Sequence, residues 1–255
     1  MENLNAKYKV VSQTQSSILI RSFLVAGLSF LLICLIGLGF GKLFEYEIYE
    51  KGNLSVVNSL YMISILLIFI SMFGSMLVFR NLLNQKTSKI IFWIGLYCLA
   101  QGIGFGMLFS LFAQDSWTLI LIFGVSGIMF ILCAIIGYFM SANAVFSLMK
   151  MLSIGWIVTF VLMILMFIPM IIMLSIGGSY AGFQWYYSLI MGIFCLLFMG
   201  YISYDVWMIS KTSEFAQIAD SRAFNNLSLF FGYRLLIDFV GLFWTIASLI
   251  LRFRR

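Results

Sequence analysis

Asp205 and Asp238 each lie inside a long apolar run, and Arg234 lies one helical turn before the second, in GYRLLIDFVG (232–241). A carboxylate at the centre of a membrane helix costs a few kcal/mol, roughly +2.5 to +3.5 on insertion scales, and such groups mark ion paths or proton relays by default. The bland alternative is a local ion pair, with Arg234 and Asp238 neutralising each other at i, i+4. That reading leaves Asp205 unexplained. The other seven of the nine acids have ordinary places: Glu2 in the N-terminal tail, Glu45, Glu47, Glu50 and Asp115 in outer loops, and Glu214 and Asp220 in the last inner loop.

The spacing predicts that these groups meet at one depth. Asp205 falls near the inner end of its span, six residues before Lys211, or about 9 Å at helical rise. Asp238 falls in the inner half of the last span, and Arg80 closes the second span at a similar level. Two carboxylates in a low dielectric resist joint ionisation, so one keeps a proton, and the two titrate as a coupled pair. A shared proton ties the two helices together. Its loss leaves two like charges, or one that swings to an arginine, which makes a two-state element biased by pH. Carboxylate oxygens also suit Ca²⁺, but a tight site takes six to eight of them. Asp205 and Asp238 therefore fit transient passage of the ion rather than storage, and no resident cofactor is expected.

The elements that carry these residues follow from composition. The chain has 255 residues, 63% hydrophobic and 9% charged, where a soluble domain has roughly 25% charged residues. It is a multi-pass membrane protein with the lipid bilayer as its first partner. Seven apolar windows each reach the roughly 20 residues that a span needs: about 18–40, 57–79, 90–112, 117–140, 152–176, 185–209 and 227–251. The fold class is all-α, with residues 1–17 a short polar tail and 18–255 a single membrane domain. The stretch GGSYAGFQ (177–184) separates the fifth and sixth spans.

Charge sets orientation. Lys7, Lys9, Arg21, Arg80, Lys86, Lys89, Lys150, Lys211 and Arg222 fall on one side, against Lys42 and Lys51 on the other. Positive-inside bias makes the N-terminus cytoplasmic. Arg252, Arg254 and Arg255 then end outside if the last segment crosses, and inside if it re-enters; full crossing is expected, because earlier spans dominate topology. The net charge of +6 is spent on orientation and does not indicate nucleic acid.

Other features have structural readings. Cys34, Cys98, Cys133 and Cys195 lie in four different apolar runs, with no CxxC spacing and no histidine, so they are packing residues. Pro169, the only proline, predicts a kink in the fifth span. GLGFG (37–41) and GIGFG (102–106) carry the small-xxx-small pattern of close helix packing. The first ends its window and the second sits inside its own, so their likeness reads as coincidence. No embedded Ser or Cys has a recognisable base, which argues against an enzyme.

Four stretches resemble the Bax-inhibitor family of membrane proteins: FMGYISYDVWMISK (198–211), LLIDFVGLF (235–243), MLVFRNLL (76–83) and YCLAQGIGFGMLFSLF (97–112). The third stretch matches through the arginine that closes the second span. The resemblance implies seven helices with the last one central, wrapped by two groups of three. It implies a bacterial pH-sensitive Ca²⁺ leak channel, with Asp205 and Asp238 as the proton-sensing pair and Arg80 exchanging partners with Asp205. It also allows a second reading, a membrane-embedded regulatory partner of a membrane-anchored AAA protease or another membrane protein. Four departures stand out. Gln101 replaces an acid common in the family, Gly241 replaces an asparagine, the last span ends in RFRR, and Arg234 is foreign to the pattern. Arg234 favours the ionised aspartates and reads as a local tuner of the pair. A third reading, a proton-coupled solute transporter, rests on Pro169 and the glycines alone. Low proline, absent histidine and abundant Ile, Phe and Asn suit a bacterium with an AT-rich genome and a place in its cell membrane.

Overall fold

The computed structural model describes the chain except residues 1, 81, 83–84, 114, 177–183, 216–220 and 254–255. Inside helices, the side chains of 2–17, 116, 166–176, 184–185, 213–215, 221 and 253 also lie outside the described set. Seven α-helices follow in order: α1 (Glu2–Glu45), α2 (Leu54–Phe79), α3 (Thr87–Leu111), α4 (Ser116–Phe139), α5 (Ala142–Ile176), α6 (Gln184–Phe215) and α7 (Ser221–Phe253). Each contains a segment long and apolar enough to cross a membrane. Their outward residues are apolar as well: Leu28 and Leu35 of α1 and Phe73 and Leu77 of α2 are all about two-thirds exposed or more, as lipid-facing positions must be.

Several ends differ from expectation, and each has a local reason. The backbone of residues 2–17, expected as a tail, continues α1; no glycine or proline interrupts it. At its other end α1 runs past residue 40 to Glu45 and closes in a π-helical turn, Tyr46–Glu50. The outer acids Glu45, Glu47 and Glu50 are thus helical rather than in a loop. Lys51 donates to Glu47 at 2.9 Å and sits 4.8 Å from the Tyr46 ring centroid. The Glu47 hydrogen bond holds the Lys51 ammonium above its ordinary range, so Lys51 stays charged at neutral pH and takes no part in a switch there. Asp115 caps α4, accepting from the Thr118 hydroxyl at 2.6 Å. α5 starts at Ala142 and takes in Lys150, whose ammonium lies 4.5 Å from the Phe146 ring centroid. Pro169, where a kink was expected, lies within the continuous helix α5; of the expected separator 177–184, Gln184 already begins α6 and 177–183 lie outside the described residues.

The chain packs as two compact units. The first comprises Met1–Leu119 with Ile209–Leu236, and the second Ile120–Met208 with Ile237–Arg255. α7 contributes its first part to one unit and its second part to the other.

In the first unit the two glycine motifs pack against each other. A Cβ on Gly37 would stand 3.3 Å from the Gly102 carbonyl oxygen, and one on Gly106 would stand 3.0 Å from the Gly41 nitrogen. The constant offset between partners makes α1 and α3 parallel. Their depths agree because α1 is longer than its window suggested. α3 is the most enclosed span, with 61% of its apolar window buried. α7 also runs parallel to α1: Arg21 bonds Asn225 at 3.0 Å, Ser22 bonds the Ser228 carbonyl at 3.3 Å, and Gly232 meets Val25. A continuous helix of 33 residues is about 50 Å long. α7 is therefore long enough for a full crossing, in the same sense as α1, and is not a re-entrant hairpin.

Asn226 is the clamp of this unit. It is fully buried, donates to the carbonyls of Leu82 (3.0 Å) and Gln85 (2.9 Å), and accepts from the Thr87 hydroxyl (2.8 Å). It thereby holds the α2–α3 connection, which begins at Arg80, onto α7. Asn226→Leu strands three polar groups, and each buried orphan costs about 1–3 kcal/mol. Thermal unfolding in detergent should show a loss of at least that size. Asn225→Ala, at an exposed position, should cost less than about 1 kcal/mol. Equal losses would mean that the clamp carries no special weight.

Candidate functional site

The second unit positions both aspartates. α6 and α7 are antiparallel in it, in a steady register. Arg252 lies 3.6 Å from the Tyr187 ring centroid, Cys195 bonds Thr245, and the Phe198 ring fills the space beside Gly241. Ile202 and Leu242 join one apolar cluster with Cys133 and Ile246. On α6 the facing stripe is thus 195, 198 and 202, and Asp205 continues it at seven residues from Phe198 and three from Ile202. On α7 the stripe is 241, 245 and 252, and Asp238 continues it at three residues from Gly241 and seven from Thr245. Residues three, four and seven apart share one helix face. Both carboxylates therefore stand on the faces that α6 and α7 turn to each other.

Their depth also follows from the register. The pairs 187–252, 195–245 and 198–241 set Tyr201 and Ile202 opposite Asp238. Asp205 lies about one turn further along α6, an axial offset of about 5 Å. Asp205 is 1% exposed, and Asp238 is half-buried. Beside Asp205, α4 packs tightly on α6. The Ser203 hydroxyl bonds the Cys133 carbonyl at 3.0 Å, and Gly137 abuts the Ser203 carbonyl, leaving no room for a Cβ. On the far face of α7, Phe130 packs on Phe239 and Phe123 on Phe243, with centroids 4.9 and 4.8 Å apart. Asp205 is thus enclosed by packed helices, whereas Asp238 is only half-buried.

The two arginines belong to the first unit. Arg234 is half-buried on α7, one turn before Asp238, with its guanidinium 5.8 Å from the Phe230 ring centroid. Arg80 is exposed at the C-cap of α2. Next to it, Phe79 packs on Phe230 and Tyr233 of α7, with centroids 4.9 and 5.4 Å apart.

Three features escaped the sequence reading. Asn226 is one, and its signal was an Asn-Asn pair at the head of an apolar run. The facing glycine motifs are the second. The third is a row of buried serines on α2, Ser64, Ser71 and Ser75, whose seven- and four-residue spacing was legible as one helix face.

With that geometry in place, comparison with known proteins adds one finding. The family model described as "Inhibitor of apoptosis-promoting Bax1" matches residues 48–255, all but the first 47 residues of the chain. No curated protein matches the chain.

Proposed function

The chain belongs to the family of inhibitors of apoptosis-promoting Bax1, and on that footing we propose that it is a pH-sensitive Ca²⁺ leak channel gated by Asp205 and Asp238. It acts in the cell membrane of a bacterium, with its N-terminus in the cytoplasm. The observation that carries this reading is the placement of two acids on the facing stripes of α6 and α7, one of them 1% exposed. A purely structural ion pair between Arg234 and Asp238 has no use for Asp205 at that position. Protonated, the pair needs no counter-charge and holds α6 to α7. Deprotonated, its two like charges favour separation and present oxygens to a passing cation. Two carboxylates are too few for a resident Ca²⁺ site, so the ion is substrate rather than cofactor.

Arg234 tunes this switch. A guanidinium one turn from Asp238 favours the ionised form, which sets the pH of opening below that of the same pair without it. Ca²⁺ flux through protein reconstituted in liposomes should rise with pH, and Arg234→Leu should move the midpoint to higher pH. An unchanged midpoint would remove Arg234 from the mechanism. Loss of pH dependence from a folded Arg234→Leu variant would make the arginine part of the gate itself.

A further inference from the structure

A slot of about 270 Å³ runs between α1 and α3 in the first unit, walled by Val25, Leu28 and Leu32 of α1, Ile91 and Gly95 of α3, and Leu229 of α7. Leu28, Leu32 and Ile91 are exposed, so it opens toward lipid. At its floor the Cys98 thiol bonds the Ser29 carbonyl at 3.6 Å. Its lining runs over residues 25–32 of α1 and 91–98 of α3, about 10 Å along each helix. The two helices are parallel, so the slot follows their axes. It is smaller than the roughly 300–1,000 Å³ of pockets that take drug-sized ligands, and its walls are almost wholly apolar. That shape suits a single acyl chain lying along the protein rather than a compact solute. Gly95 keeps the slot open, since nothing stands within 4 Å of its Cβ position.

One end of the slot is charged. Arg21 continues the Val25, Leu28 and Leu32 face of α1 one turn toward its N-terminus, and Asn225 stands one turn before Leu229 on α7. Arg21 donates to the Asn225 side-chain oxygen at 3.0 Å, and its guanidinium lies 4.8 Å from the Phe224 ring centroid. The cation is thus held at the mouth of the slot. That bond uses one of the five guanidinium donors. Arg222 is exposed and shares the α7 face of Asn225 and Leu229, which adds a second positive charge at the same end. We propose that this slot binds an anionic phospholipid, with one acyl chain between α1 and α3 and the phosphate at Arg21 and Arg222. The charge complements the headgroup, and a guanidinium bonds phosphate through two parallel donors. With the N-terminus in the cytoplasm, the lipid belongs to the inner leaflet. The site uses neither Asp205 nor Asp238, and it does not depend on the leak reading.

Native mass spectrometry of the intact protein tests it. The protein is released from micelles that hold equal amounts of phosphatidylglycerol and phosphatidylcholine with the same acyl chains. Wild type should retain phosphatidylglycerol in preference, by about fivefold for each arginine that reaches the phosphate. Arg21→Gln should cut that preference by about fivefold. Gly95→Leu places a side chain in the slot where no neighbour stands within 4 Å, so the fold survives and lipid retention drops. Gly127→Leu, at an equally open glycine on α4, is the control and should retain lipid as wild type does. Equal retention of the two lipids by wild type overturns the proposal, as does an unchanged preference in Arg21→Gln. Retention by Gly95→Leu at the wild-type level, or an equal loss from Gly127→Leu, overturns it as well. If Gly95→Leu fails to fold, Arg21→Gln decides, because Arg21 is exposed.

Discussion

Gly106→Leu should fail to yield a folded protein, and Gly106→Ala should already unfold well below wild type in detergent. A Cβ at Gly106 would lie 2.6 Å from the Phe40 Cβ and 3.0 Å from the Gly41 nitrogen. The second contact is to backbone, which cannot rotate away. α1 and α3 must then part along the whole glycine seam, because a Cβ at Gly102 would meet Ile36 in the same way, at 2.5 Å. Overpacking of this kind costs about 1–3 kcal/mol, occasionally more. In lipid the loss is not offset by burial elsewhere, since helix association there rests on packing itself. Gly39, inside the same GLGFG string, has nothing within 4 Å of its Cβ position. Gly39→Ala should hold or gain stability, by up to about 1 kcal/mol from helix propensity. If Gly39→Ala and Gly106→Ala behave alike, the facing-glycine account is wrong.

The same seam shows what the sequence could and could not convey. Both strings were visible as helix-packing patterns, but pairing them needed the length of α1. Apolar windows end where charge begins, and α1 continues through Lys42 to Glu45, with a π-helical turn carrying on to Glu50, because nothing there breaks a helix. Hydropathy recorded where lipid stops; the backbone records where hydrogen bonding stops. Seven spans were legible because each is a long uncharged run bounded by charge. The aspartates were legible for the converse reason, as charges where none belong. Their facing stripes were not, since only packing fixes the register between α6 and α7. Asn226 looked like one more polar residue at a helix start. Its three hydrogen bonds depend on a turn distant in sequence.

Replacing either aspartate should abolish the pH response. At a separation of about 6 Å, two ionised carboxylates would repel by about 3 kcal/mol at an effective dielectric of about 20. That is enough to shift a two-state equilibrium by roughly a hundredfold. Asp205→Asn keeps the size and polarity of the side chain but removes its proton and its charge. The remaining carboxylate then has no like charge to repel it, and α6 and α7 lose their reason to separate. The ratio of Ca²⁺ flux at about pH 8 to that at about pH 5 should fall toward unity in Asp205→Asn. Asp238→Asn should do the same, although Asp238 is the less buried of the two. A steep response that survives both substitutions would place the sensor elsewhere.

The central claim is that the folded protein passes Ca²⁺ and that protons govern the passage. The most direct test is calcium entry into liposomes carrying the wild-type protein, scanned from about pH 5 to about pH 8, beside empty liposomes of the same lipid. The account predicts flux above the empty control, rising with pH. Flux no greater than in empty liposomes, from protein shown to be folded by its thermal transition, would contradict it and favour a regulatory partner of another membrane protein.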